Sequence, residues 1–105
     1  MSGEIIVFVT VPSRDEASTI AEALVTERLA ACVNILPGIE SVYRWEGKIN
    51  RDSELLLVIK STTARYDELE RRVKQLHSYS TPEVITLNID QGSEAYLDWL
   101  RDSTS

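Results

Sequence analysis

Two short runs of branched and aliphatic side chains, Ile5-Ile6-Val7-Phe8-Val9 and Leu55-Leu56-Leu57-Val58-Ile59, constrain the fold most. Continuous apolar runs of this length read as central strands, the first buried on both faces. What stands between and after them sets the topology. Pro12 ends the first run, and Ser13-Arg14-Asp15-Glu16 has capping-box spacing, Ser as N-cap and Glu three residues on, so each can satisfy an amide of the other. Ala17, Ile20, Ala21 and Leu24 then recur at helical spacing, and the helix is expected to end near Leu29. Strand character returns from Ala31 to Leu36, breaks at Pro37-Gly38, and resumes from Ser41 to Glu46. Gly47 marks a turn into a third strand, Ile49 to Ser61.

Thr62 or Thr63 can cap a second helix whose Tyr66, Leu69, Val73 and Leu76 form one apolar stripe. On its outer face Asp67, Glu68 and Glu70 each stand four residues before Arg71, Arg72 and Lys74. Pro82 forces extended backbone at Thr81, and Val84, Ile85, Leu87 and Ile89 make a fourth strand. Gly92-Ser93 opens a last helix with Tyr96, Leu97, Trp99 and Leu100. The order β-α-β-β-α-β plus a terminal helix predicts an α+β, ferredoxin-like fold, one domain over residues 1–105. The strand 2–strand 3 hairpin can outrun the helices and leave Tyr43 and Trp45 on an arm without intramolecular cover. Such an edge is an aggregation hazard unless another subunit shelters it, so Tyr43 and Trp45 are expected at a subunit interface.

At 105 residues the chain can bury roughly 65% of its unfolded surface, enough for a core. No apolar run approaches the ~20 residues of a membrane span, and Met1-Ser2-Gly3-Glu4 lacks the positive start of a signal peptide. Cys32 is the sole cysteine, which excludes a disulfide framework within one chain and fits a reducing, cytoplasmic location. The net charge is −6, with eleven Lys and Arg scattered among seventeen acids, so neither nucleic acid nor membrane is an expected partner.

The only histidine, His77, stands at the end of the second helix with Tyr79 and Glu83 close behind. A helix C-terminus alone favours an imidazolium. As a metal ligand His77 needs partners, and Glu83 and the Tyr79 hydroxyl are the local candidates. Lys60, in line with the buried third strand, either meets an acid such as Glu83 or Glu54 or joins His77, Tyr79 and Glu83 in a polar cleft. Cys32 reads first as a small core hydrophobe that could face a subunit junction. No complete nucleophile–base pair is present, and no enzymatic activity is expected.

Several segments together resemble one family: Arg28-Leu29-Ala30-Ala31-Cys32-Val33-Asn34, Ser41 through Ile49, Glu54 through Lys60, His77-Ser78-Tyr79-Ser80-Thr81-Pro82-Glu83, and Tyr96-Leu97-Asp98-Trp99. The chain is similar over nearly its whole length to CutA proteins, the divalent-cation-tolerance family. That resemblance implies a small cytoplasmic ferredoxin-like domain, homotrimeric through its extended hairpins, similar in architecture to PII signalling proteins. It also implies a link to tolerance of copper and other divalent cations, with weak metal binding, and in animals an association with anchoring of acetylcholinesterase. His77 matches the second of a histidine pair in members proposed to bind copper, and Val9-Thr10-Val11 stands where those members carry a cysteine. The alternative expectation is a PII-like module that binds a small anionic or polar ligand in inter-subunit clefts near Lys60 and His77.

Overall fold

A computed structural model describes residues 3–105; Met1 and Ser2, part of the chain start considered above, lie outside the described residues. The elements follow the expected order: β1 (Glu4–Val11), α1 (Arg14–Thr26), β2 (Cys32–Trp45), β3 (Lys48–Thr62), α2 (Thr63–Leu76), β4 (Val84–Asn88) and α3 (Glu94–Ser103). The four strands form one antiparallel sheet in the order β2-β3-β1-β4, with the two apolar runs as its central strands. Fold class and topology are those read from the sequence.

Alternation along β1 decides where the core sits. Ile5, Val7, Val9 and Val11 are fully buried and pack with Ala17, Ile20 and Leu24 of α1 and Leu69 and Val73 of α2. Ile6, Phe8 and Thr10 point the other way and are only half-buried, because both long helices cover the same face. Burial of this strand on both faces is therefore not met within one chain. The open face continues through the register partners Leu56, Val58 and Lys60 on β3 and Ile85 and Leu87 on β4. α3 packs over the Glu4 and Cys32 end of this face, while Ile85 and Leu87, at 52% and 54% exposed, leave the remainder apolar and only partly covered.

β2 is continuous where a break was expected. Pro37-Gly38 makes a β-bulge, with the register slipping between Leu36 and Ile39 and Gly38 at φ 80°, a backbone state that glycine adopts without strain. The extra residue switches parity along the strand. Cys32, Asn34 and Leu36 pair with Lys60, Val58 and Leu56 on the open face, whereas beyond the bulge the odd residues Ile39, Ser41, Tyr43 and Trp45 continue that face opposite Glu54, Asp52, Asn50 and Lys48. Glu46 and Gly47, at φ 51° and 78°, close the hairpin as a two-residue turn with both central residues left-handed, which matches strand twist. The resulting arm gives the molecule a 44 Å long axis against 25 and 23 Å across.

Three local expectations change. α1 stops at Thr26, since Arg28 at φ 61° turns the chain so that the Leu29 and Ala30 amides both donate to the Leu24 carbonyl and both side chains enter the core. Ser13 does accept from the Glu16 amide at 3.2 Å, but the Glu16 carboxylate points toward the α2 C-terminus instead of back to Ser13. On α2 only Glu70–Lys74 forms of the three i, i+4 pairs, at 2.6 Å; Arg72 reaches Glu27 at 3.0 Å and ties the helices together.

Candidate functional site

α2 ends at His77 because its backbone turns extended there, with φ −81° and ψ 141°, while its amide still donates to the Val73 carbonyl. The imidazole turns inward against β1. Its side chain is fully buried, and Nε2 lies 2.8 Å from the Thr10 carbonyl, which can only accept, so Nε2 carries the hydrogen. Nδ1 accepts from the Tyr79 amide at 3.0 Å. The Glu16 carboxylate stands 3.2 Å from the same nitrogen and also accepts from the Ser78 amide at 3.0 Å. Both ring nitrogens are thus committed within the chain, and the ring packs against Tyr79 with centroids 4.8 Å apart.

Through that link His77 aims Tyr79 at the foot of the hairpin. The Tyr79 hydroxyl donates to Glu54 Oε2 at 2.8 Å. Burial pushes this hydroxyl above the usual tyrosine range, and the bond to the Glu54 carboxylate raises it further. Glu54 is only 7% exposed, at the point where the sheet becomes arm. Among the described residues no Lys, Arg or His side chain lies within ion-pair distance of it. Across the same face the Tyr43 hydroxyl donates to Asp52, a bond that raises the Tyr43 hydroxyl above its ordinary range.

Between the arm and the His77–Glu83 loop lies a cleft of about 560 Å³. Tyr43, Trp45 and Tyr79 supply its aromatic walls, and Glu54 and Glu83 its two carboxylates. Ser41, Ser80 and Thr81 add hydroxyls, and no Lys or Arg lines it.

The candidate residues divide accordingly. Tyr79, Glu83, Tyr43 and Trp45 come together in the cleft; His77 lies beneath Tyr79. Lys60 and Cys32 are elsewhere. Lys60 is opposite Ile6, four β1 residues from the Thr10 carbonyl that holds His77, roughly 13 Å along the strand. Its ammonium meets the Asn34 side-chain oxygen, not Glu54 or Glu83, and Cys32 sits half-buried 4.0 Å from that same oxygen. The anionic ligand expected near Lys60 and His77 therefore finds no basic side chain in the cleft. Glu54 and Glu16, both central to the geometry, were read only as an ion-pair partner and a helix cap. The available signal was an acid heading an apolar strand, in alternation with Leu56 and Val58 of the open face.

The family model for the "CutA1 divalent ion tolerance protein" matches residues 5–103. The chain belongs to the CutA1 family. It is 55% identical over 101 residues to the divalent-cation tolerance protein CutA of Thermus thermophilus, covering 96% of this chain and 98% of that one. It is 53% identical over 100 residues to the chloroplastic protein CutA of Arabidopsis thaliana, covering 95% of this chain but 55% of the longer plant protein. The solved structure of the Thermus thermophilus protein superposes with a TM-score of 0.96 at 55% identity, over 97% of this chain and 99% of that chain. CutA1 membership carries a connection to divalent-cation tolerance, and these names describe no catalytic activity. Among the described residues no group of three His, Cys, Asp or Glu is clustered as a metal cage, and no helix is long and apolar enough to cross a membrane.

Proposed function

We propose that this CutA1 chain acts as a single 1–105 domain, non-enzymatic and cytoplasmic, that assembles into a homotrimer and binds divalent cations weakly at the cleft. The observation that carries the assembly is the partly bare apolar sheet face, continued by Tyr43 and Trp45 on the arm, with Trp45 53% exposed. At about 25 cal/mol per Å², a face of this kind drives association once a complementary copy is available. A homotrimer shelters it and satisfies the hazard of an unpaired arm.

For the metal, the donor set of one chain fits a weak, water-rich oxygen site and does not fit a tight cage. Glu54 and Glu83 are carboxylates in one cleft, with serine and threonine hydroxyls beside them. Such donors suit hard or borderline divalent ions that keep part of their hydration. Cu²⁺ heads the order of first-row affinities at nearly any such set, so copper remains the strongest binder in this reading. His77 contributes by holding Tyr79 and so Glu54, because its ring nitrogens are already engaged.

Calorimetric titration of Cu²⁺, Zn²⁺ and Mg²⁺ at fixed ionic strength tests the metal reading. The expected result is weak binding in the order Cu²⁺, Zn²⁺, Mg²⁺, reduced in Glu83→Gln and unchanged within about twofold in a folded His77→Gln protein. Equal isotherms for the native chain and Glu83→Gln contradict it.

A further inference from the structure

We infer that Lys48 of one copy enters the cleft of the next and pairs with Glu54, so that a sister chain completes the site. This rests on the homotrimer reading and names the contact that closes it.

Glu54 sets the requirement. It is buried already within one chain, its hydrogen-bond partner is the neutral Tyr79 hydroxyl, and among the described residues no basic side chain lies within ion-pair distance of it. A carboxylate withdrawn from water is costly unless a cation meets it. No Lys or Arg of the same chain lines the cleft to do so.

The basic side chains of the described residues narrow the choice. Arg28 and Lys60 are held by backbone and amide oxygens, and Arg51, Arg65, Arg72, Lys74 and Arg101 by carboxylates. Arg14, Arg44, Lys48 and Arg71 are left without a side-chain partner. Arg14 and Arg71 stand on α1 and α2, which cover the other face of the sheet. Arg44 alternates with Tyr43 and Trp45 and so points away from their face. Lys48 is the cross-strand partner of Trp45 and shares its face. It is thus the unpartnered cation on the surface that needs cover. Its own Glu54 stands six residues along β3, about 20 Å away, which is farther than a lysine side chain reaches. The carboxylate it meets is therefore on another copy.

Symmetry allows this pairing. A cyclic trimer joins two different patches head to tail, and the arm tip with Lys48 and the cleft at the arm's foot with Glu54 are two such patches of opposite charge. Repeated around the ring, the contact gives one Lys48–Glu54 pair at each junction. Lys48 then competes with divalent ions for this carboxylate, in keeping with weak binding there.

The test is a double-mutant cycle on assembly of the full chain, with Lys48→Met, Glu54→Gln and the double variant. Molar mass is read by light scattering over a dilution series, in urea at the concentration that half-dissociates the native trimer. Each single variant is expected to need at least about tenfold more protomer to reach half assembly, because breaking a buried charge pair costs that much or more. The double variant should fall within about twofold of Lys48→Met, since the pair is already lost. Should Glu54→Gln fail to give native circular dichroism, Lys48→Glu replaces it: set against Glu54, it should need at least about threefold more protomer than Lys48→Met. Additive losses in the cycle, or equal assembly of Lys48→Glu and Lys48→Met, overturn the inference. A native chain that is monomeric at micromolar concentration removes the homotrimer reading and this pair together. A native trimer whose Lys48→Met variant assembles equally well removes the pair alone.

Discussion

His77 shows how much one side chain can organise. It joins the end of α2 to β1 through Thr10 and to the cleft loop through the Tyr79 amide, while Glu16 of α1 holds the neighbouring Ser78 amide. Removing it leaves the Thr10 carbonyl and the Tyr79 amide without their partner, and an unsatisfied buried polar group costs about 1–3 kcal/mol. His77→Ala is therefore expected to lower unfolding stability by about 2 kcal/mol in denaturant titration at fixed protomer concentration. An unchanged midpoint contradicts the link. The tyrosines give a second test at this scale. All four, Tyr43, Tyr66, Tyr79 and Tyr96, are raised above the ordinary value of 10.0. For Tyr43 the first cause is the bond to Asp52, and for the other three it is burial. Raised folded values mean that the native chain holds these protons more tightly than the unfolded chain. Their contribution is fully present below pH ~10 and is lost as pH rises through the folded values. Absorbance at 295 nm should show phenolate formation displaced above pH ~10 and accompanied by unfolding; a titration centred on the free value contradicts this. From sequence, the position of His77 at a helix end and its nearness to Tyr79 were legible, but Thr10, 67 residues away, and Glu16 meet it only after folding.

At the level of elements, the strands and helices followed from periodicity and punctuation, and what sequence missed was continuity and parity. Pro37-Gly38 reads locally as a break, yet β3 carries on pairing past it, so cross-strand bonds turn the break into a bulge. That bulge places Tyr43 and Trp45 on the same face as Glu54. Likewise the charge spacing on α2 is right for i, i+4 pairs, but Arg72 prefers Glu27 on the neighbouring helix, a contact that local spacing cannot reveal. The hairpin turn supplies a prediction. Glu46 is a non-glycine residue at φ 51°, where a short amide side chain is better tolerated. Glu46→Asn, giving Asn-Gly at the turn, is expected to stabilise the chain by about 0.5–1 kcal/mol in the same denaturation assay. A loss of stability there contradicts the left-handed turn.

For the whole molecule, an α+β topology was readable because each apolar stripe has one sensible neighbour. The first apolar run, however, was expected to be covered on both sides, and a single chain covers one fully and the other only in part, through α3. In the proposed homotrimer, Ile6, Phe8 and Val58, half-buried in one chain, would become interior as other copies close over the open face. Trp45→Asp places a charge on the arm's aromatic side, and an interface aromatic typically contributes 2 kcal/mol or more, so this variant is expected to dissociate at concentrations where the native chain does not. The most direct measurement is molar mass by light scattering at micromolar protomer concentration. The native chain should give about 35 kDa, three times its 11.8 kDa. A mass of 11.8 kDa contradicts the account, because the uncovered part of the open face and the arm would then stand bare in water.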